Sequence, residues 1–455
     1  MNKLILSASV ALGATSFSFA QQTIQPNFVL FIADDCSYYD LGCYGSVDSK
    51  TPNIDNFAAQ GVRFTQAYQA VPMSSPTRHN LYTGLWPVRS GAYPNHTCAN
   101  KGTLSIVHHL RPLGYKVALI GKSHIKPKSV FPFDLYIAND KGELHFEAIQ
   151  KFISDCKEKG QPFCLFVASD QPHTPWNKGD ASQFNPDKLT LAPMYVDIPE
   201  TRQEFTKYLA EVNFMDQEFG SVLSILDQEK VSEQSVVVYL SEQGNSLPFA
   251  KWTCYDAGVH SACIVRWPGV IKPGSVSDAL VEYVDIVPTF VDIAGGKTQA
   301  KVDGESFKQV LMGKKKEHKK YSFSLQTTRG IIKGPEYYGI RSVYDGRYRY
   351  IVNLTPEAIF KNTMTDTPLF KEWKQLAETD AHARAMTTKY QHRPAIELYD
   401  VKSDPYCMNN LAENAKYSSI ITQLDTELKK WMKECGDEGQ ATEMRAFEHM
   451  PSKQK

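Results

Sequence analysis

Four short runs of uninterrupted apolar residues constrain this chain most: 28–33 (FVLFIA), 117–120 (VALI), 163–168 (FCLFVA) and 236–240 (VVVYL). None alternates apolar with polar residues. Runs of this kind fit central strands of a parallel sheet covered on both faces. Helical patterns lie between them, as at 54–59 (IDNFAA) and 205–227. Strand and helix in alternation predict an α/β fold with helices on both faces of a mostly parallel sheet. Open parallel sheets bind ligands in the crevice outside the carboxyl ends of their strands. The residues that follow each run are therefore the ones to inspect.

Each run ends in groups suited to metal or anion chemistry. Asp34-Asp35 follow the first and Gly121-Lys122-Ser123-His124 the second. Ser169-Asp170-Gln171-Pro172-His173 follow the third. Ser241-Glu242-Gln243-Gly244 follow the fourth, with Lys251 a little further on. If the runs are neighbouring strands, Asp34, Asp35, Glu242 and Gln243 offer oxygen donors to a hard divalent cation. Lys122 and Lys251 would face an anion, and His124 and His173 could transfer protons. Singly, an Asp-Asp pair is more often a turn or cap, a histidine structural and a lysine merely solvated. The coincidence at four strand ends carries the reading.

The segment from Ser74 to Gly84 reads S-x-P-T-R-x-x-L-x-T-G. Ser75-Pro76 read as an N-cap and first helical residue, and Gly84 as the stop. Ser74 then lies at a helix N-terminus, where the dipole favours negative charge. The segment resembles the signature of the type I sulfatases, in which Cys or Ser of [CS]-x-P-[ST]-R is oxidised to formylglycine. Other stretches resemble that family too: Pro26-Asn27 to Asp35, Thr51-Pro52-Asn53-Ile54-Asp55 with Gly61-Val62-Arg63-Phe64, Asp285-Ile286-Val287-Pro288-Thr289, and Leu398-Tyr399-Asp400 with Asp404-Pro405.

The resemblance implies an alkaline-phosphatase-like sulfatase fold with a large, mostly parallel sheet and a smaller C-terminal α+β subdomain holding an antiparallel sheet. It implies formylglycine at Ser74, whose hydrate attacks the sulfur. Asp34, Asp35, Glu242 and Gln243 resemble the ligands of one metal, Ca2+. Arg78 resembles the residue that orients the nucleophile. Lys122 and Lys251 resemble a clamp on the sulfate oxygens, His124 the base and His173 the group at the leaving atom. The family usually has Asp-Asn where this chain has Glu242-Gln243, each one methylene longer. Ser rather than Cys at position 74 implies a serine-type maturing enzyme as a partner before export.

Within the family, Gly121-Lys122-Ser123-His124-Ile125-Lys126-Pro127 and Phe131-Pro132-Phe133-Asp134 resemble sulfamidase, the N-sulfoglucosamine sulfohydrolase of heparan. So do Arg341-Ser342-Val343, Arg349 and Asn353-Leu354. Arg341 and Asp170 are candidate substrate contacts, with a structural salt bridge the competing role for Arg341. The basic run 314–320 (KKKEHKK) could hold a sulfated glycan, but a solvated loop is the simpler reading. Tyr38, Tyr39, Tyr93 and Trp176 could stack on sugar rings or sit in the core.

Charge balance sharpens the partner class. With 50 basic and 50 acidic residues there is no global pull toward nucleic acid or anionic membrane. The 42% hydrophobic content is ordinary for a globular protein and excludes a disordered or collagenous chain. Residues 1–20 read as a secretory signal peptide, with Lys3 before an apolar stretch and Ser18-Phe19-Ala20 as the cleavage site. Periplasmic or secreted placement follows, without a membrane span. Nine cysteines without a CxxC pair exclude a zinc ribbon, and an odd count leaves at least one thiol free. The expected division is a catalytic domain over 21–330 and a subdomain over 331–455, where 341–354 reads as a hairpin turning at Asp345-Gly346. Near the end Ile420, Ile421, Leu424, Leu428, Trp431 and Met432 recur at helical spacing. Three functions stand open: a carbohydrate sulfatase acting on a sulfate ester or sulfamate, a phosphoesterase or phosphonate hydrolase with unmodified Ser74, and a glycan-binding pseudoenzyme.

Overall fold

The computed structural model describes residues 25–451 apart from 330, 332, 333, 335 and 336. The expected signal peptide lies outside the described residues. A nine-stranded sheet is built from β1 (Asn27–Ala33), β2 (Val62–Tyr68), β3 (Lys116–Gly121), β4 (Leu135–Ile137), β5 (Phe163–Ala168), β6 (Ser235–Ser241), β7 (His260–Arg266), β8 (Ser275–Ser277) and β9 (Val281–Glu282). Its order is β4-β3-β5-β1-β6-β7-β2-β8, with β9 also paired to β2. Every pairing is parallel except those of β7, which runs against both β6 and β2.

The four apolar runs are the four adjacent strands β3, β5, β1 and β6. All seven residues of β1 are buried, which is why the run shows no polar alternation. Val29, Phe31 and Ala33 face one core layer, and Phe28, Leu30 and Ile32 the other. The first layer takes Ile149, Phe152 and Ile153 from the helix Phe146–Glu158, and Tyr208, Leu209, Met215 and Phe219 from the helix Pro199–Gln228. The second takes Leu81 and Tyr82, and Ile286, Val287 and Phe290 from the helix Ile286–Ile293. Truncating a fully buried aromatic such as Phe31 to Ala would cost roughly 3–5 kcal/mol.

Helix α1 (Pro52–Gln60) begins on Pro52, whose fixed φ suits a first turn. Helix α2 (Ser74–Thr83) starts two residues earlier than expected. Its N-cap is Met73, which enters extended at φ −152°, and Thr77 N–H already donates to the Met73 carbonyl at 3.1 Å. Ser75 is therefore inside the helix and Ser74 is its first residue. Gly84 ends it at φ 66°, a conformation that costs glycine little.

A second, antiparallel sheet has the order β10 (Ser322–Thr327), β11 (Gly339–Tyr344), β12 (Tyr348–Asn353) and β13 (Ile396–Asp400). The 345–346 turn joins β11 to β12, with Gly346 at φ 94°. The expected boundary near 330 falls between β10 and β11 of this sheet. Helix Ser418–Cys435 buries Leu424, Leu428 and Trp431 against the core, with Ile420, Ile421 and Met432 packed alongside. Leu325 N–H donates to the Ala70 carbonyl at 2.8 Å, and Ser324 Oγ to that of Gln69 at 3.1 Å. The small sheet is thus pinned beside the loop that leads into α2. All nine cysteines are unpaired, and Cys164 is fully buried in β5. No helix among the described residues is long and apolar enough to cross a membrane.

Candidate active site

The carboxyl ends of β3, β5, β1 and β6 meet the N-terminus of α2 in one buried polar nest. Asp34 and Asp35 follow β1, Lys122 and His124 follow β3, Asp170 and His173 follow β5, and Glu242 and Gln243 follow β6. Strand pairing continues just past the strands: Glu242 N–H donates to Ala33 O at 3.0 Å and Lys122 N–H to Ala168 O at 2.9 Å. Gly121 makes that approach feasible. Its φ is 113°, and a Cβ there would stand 2.0 Å from Ala168 O. Asp35 (φ 59°), His124 (φ 53°) and Gln243 (φ 36°) all hold left-handed backbone. Such strain in non-glycine residues costs about 1–3 kcal/mol each and collects where side chains must be aimed.

Ser74 sits at the centre, 4% exposed. Its Oγ donates to Asp34 Oδ1 at 2.7 Å and accepts from Gln243 Nε2 at 2.9 Å. Gln243 Nε2 also donates to Asp35 Oδ1 at 2.8 Å. Asp35 Oδ2 takes Lys251 Nζ at 2.5 Å and Ser246 Oγ at 2.9 Å, with His173 Nε2 at 3.6 Å. Lys122 Nζ bonds Asp34, and Arg78 Nη2 bonds Glu242. Arg78 Nη1 donates to Lys122 O at 2.7 Å. Ten of the twelve sequence-predicted residues form or border this network.

The charges fix one another's ionisation. Burial would raise the Asp34 carboxyl, but Lys122, His173, Arg78 and Lys251 outweigh it and hold the group well below the ordinary carboxylate range. Burial pushes Glu242 up, against the opposing pull of Arg78. Burial also works against Arg78, yet Glu242 and Asp34 keep its guanidinium firmly charged. Lys122 behaves likewise: burial opposes its charge and Asp34 restores it, raising its pKa. Burial, then Lys122 and His96, press His124 down to about 2.

The donor set suits a hard divalent cation. Asp34, Asp35 and Glu242 offer carboxylate oxygens and are buried. Gln243, also buried, turns its Nε2 toward Ser74 and Asp35 and its Oε1 toward Gln69, so its oxygen would reach a cation only with the amide turned. Glu242 Oε1 is buried with no hydrogen-bond partner, an acceptor without a donor. Among the described residues, no three His, Cys, Asp or Glu side chains already stand as a ligand cage. Lysine and arginine hold the carboxylates instead, so a cation entering here would displace ammonium groups from Asp34 and Asp35. Those two ammonium groups are then available to an anion at the same place.

The remaining predicted residues lie further out. Asp170 is half-buried at the rim and accepts from Asn139 Nδ2 at 2.8 Å. Arg341 is placed away from solvent in a salt bridge, the second of its two expected roles, and this corrects the first, that of a substrate contact. It is 1% exposed and bonded to Asp437 at 2.5 Å and Glu443 at 2.8 Å, so it presents no free donor to a sugar. Tyr93 is buried, and its OH donates to Thr442 O at 2.7 Å. Of the basic run, Lys314, Lys315 and Lys316 are exposed, whereas Lys319 pairs with Glu282 and Asp285.

Three contributors escaped the sequence reading. Gln69 clasps Gln243, accepting its N–H at 2.7 Å and donating to its Oε1 at 3.3 Å. Ser246 bonds Asp35, and His96 meets His124 Nε2 at 2.7 Å. Only Gln69 had a signal available, its place a few residues before the Ser74–Gly84 segment.

Comparison with known proteins bears on this geometry. Residues 26–296 match the Sulfatase family, and residues 244–357 match the C-terminal part of N-sulphoglucosamine sulphohydrolase. An ulvan-active sulfatase of Formosa agariphila is 32% identical over 420 residues, covering 91% of this chain and 81% of the relative. Human N-sulphoglucosamine sulphohydrolase is 26% identical, with 90% of each chain covered. A solved structure in complex with its substrate D-glucosamine-2-N,6-O-disulfate aligns with TM-score 0.68 at 19% identity, over 91% of this chain and 99% of that one. The phosphonate monoester hydrolase of Agrobacterium radiobacter shares the fold at TM-score 0.71 and 17% identity, over 91% and 97% of the two chains. Those two likenesses concern the fold. The family match over most of the sheet, together with the 32% identity along nearly the whole chain, makes this protein a member of the sulfatase family, the hydrolases of sulfuric esters and sulfamates.

Proposed function

We propose that the chain is an exported carbohydrate sulfatase that cleaves a sulfate ester or sulfamate from a sulfated glycan, with N-sulfoglucosamine of heparin or heparan among the substrates to test. In this reading position 74 carries formylglycine, made by a serine-type maturing enzyme, and the oxygen donors hold one Ca2+. The observation that carries it is Ser74 Oγ, held by Asp34 and Gln243 at the first residue of α2 and ringed by Arg78, Lys122 and Lys251. When present, the two groups supply the attacking oxygen and the charge that steadies it.

The chain's own residues do the rest. Lys122 and Lys251 turn from their carboxylates to the sulfate oxygens, where charge builds during transfer. Arg78, locked by Glu242 and Lys122 O, holds the oxygen at position 74 on line. His124 receives a proton at Nδ1, which is buried and unpartnered. His173, with a side chain 36% exposed, offers Nε2 to the leaving atom. Asp170 lies at the same rim and would contact the sugar.

Two lysines beside the carboxylates favour a singly clamped sulfate over a phosphate bound between two metals. The test is inorganic sulfate release from glucosamine carrying N-, 3-O- or 6-O-sulfate and from a 2-O-sulfated sugar, with a phosphate monoester as the control. Release from one sulfated sugar, lost in Ser74→Ala, supports the reading. Phosphate release alone would replace it with the phosphoesterase, and binding without turnover with the pseudoenzyme.

A further inference from the structure

His96 has no chemical role assigned above, yet it closes the only outward path from His124 visible among the described hydrogen bonds. His124 Nε2 stands 2.7 Å from His96 Nδ1, with ring centroids 4.7 Å apart. His124 Nδ1 points the other way and is buried without a partner. His96 itself is exposed, and its Nε2 lies 3.2 Å from Asn95 Nδ2, a donor. Both histidines hold left-handed backbone, φ 59° at His96 and 53° at His124. Two strained residues meeting ring to ring is an arrangement the surrounding structure must impose.

We infer that His96 is the outer member of a two-histidine proton relay, a positioning residue that acts through His124 and connects the site to solvent. The inference rests on the proposed role of His124 as base. Hydrolysis of a sulfate ester consumes one water, breaks one S–O bond and yields an alcohol, the sulfate dianion and one proton. That proton enters at His124 Nδ1. The proton on His124 Nε2 passes to His96 Nδ1, and the one on His96 Nε2 leaves to water. The structure has Asn95 Nδ2 against His96 Nε2, the arrangement that follows the transfer; before it, the amide is turned so that its oxygen accepts from His96 Nε2–H. Afterwards the amide donates to the vacated nitrogen. Asn95 therefore serves both states by turning its amide.

The surrounding charges suit a conduit rather than a store. Burial, Lys122, His96 and Arg78 all disfavour a resident charge on His124, against an opposing pull from Asp34. Burial, Lys122, Lys126 and Lys251 lower His96 as well. A proton is thus passed on to water instead of resting on either ring.

The decisive variant is His96→Asn. Asparagine tolerates the left-handed backbone, and its Oδ1 can accept from His124 Nε2 where Nδ1 stood, but it cannot carry a proton onward. The relay predicts a kcat loss at the lower end of the roughly 10²–10⁴-fold span of general acid–base effects, with KM little changed. Added imidazole restores the rate of His96→Asn and of His96→Ala. Wild-type turnover in His96→Asn, or a loss that imidazole does not restore, overturns the relay. Full activity in His124→Ala would instead overturn the base assignment on which it rests. A readout without substrate is proton NMR of the resting protein. The relay predicts a slowly exchanging, downfield imidazole proton that disappears in His96→Ala, and its absence from the wild type overturns the pair.

Discussion

Replacing Lys251 by methionine tests how the buried carboxylates are balanced. Lys251 is 7% exposed and its ammonium lies 2.5 Å from Asp35 Oδ2, a carboxylate with no exposure. Methionine keeps the apolar stem and removes only the charge. Two unit charges near 4 Å interact by about 4 kcal/mol at the effective dielectric of a protein surface. Breaking one side of a buried pair costs about 3–5 kcal/mol, because the other charge is left uncompensated. Ser246 and Gln243 still donate to Asp35 in the variant, so the lower end, about 3 kcal/mol, is expected. Urea unfolding in a chelator should show this difference between wild type and Lys251→Met. Calcium should then stabilise the variant more than the wild type, since the cation replaces the missing ammonium beside Asp35. Equal stabilities in chelator would refute the view that Asp35 depends on Lys251. Equal responses to calcium would refute the shared use of the site by lysine and metal.

Three further predictions follow from the same network and its supports. Glu218 is buried and bonded by Ser169 Oγ at 2.5 Å, and burial raises its carboxyl from 4.5 to about 8. The folded state therefore holds the proton more tightly, so this contribution is present below pH 4.5 and lost as pH rises through about 8. Wild-type stability should fall by up to ~1.4 kcal/mol per pH unit across that window, and Glu218→Gln should flatten the slope in a pH series of melts. Gly121→Ala places a methyl against Ala168 O, so β3 must part from β5 and carry Lys122 with it. Sulfate release should drop at least tenfold, and an unchanged rate would mean that the strand ends are not held in register. Arg341→Met leaves Asp437 and Glu443 as buried unpaired carboxylates and should cost about 3–5 kcal/mol in unfolding, with the KM of the folded fraction unaltered; a raised KM would return Arg341 to the substrate.

The sheet was readable because its central strands are buried on both sides. Residues 28–33, 117–120, 163–168 and 236–240 have no solvent face, so their sequence carries no polar interruption. Strand β7 went unread: His260, Ser261 and Arg266 break its apolar pattern, and it packs through a Tyr68–His260–Asp256 polar cluster. The start of α2 was misread by two residues because Ser-Pro is a common cap and first turn. Here the extended Met73 takes that place, since Ser74 must reach Asp34. A structural salt bridge was one of two readings of Arg341, but its partners were not legible, because Asp437 and Glu443 lie far along the chain and only folding brings them together. His96 was invisible for the same reason, in a loop without periodicity. What the sequence did show was position: ligands gather at the ends of parallel strands, and those residues could be named before any fold was seen.

The central claim is that Ser74 is the precursor of the nucleophile. Mass spectrometry of the peptide containing Ser74 tests it most directly, on protein from a host that has the serine-type maturing enzyme. The account predicts a peptide lighter than the serine form by two hydrogens, reactive toward carbonyl reagents, in the same preparation that releases sulfate. An intact serine in protein that turns over sulfated sugar at full rate would contradict it.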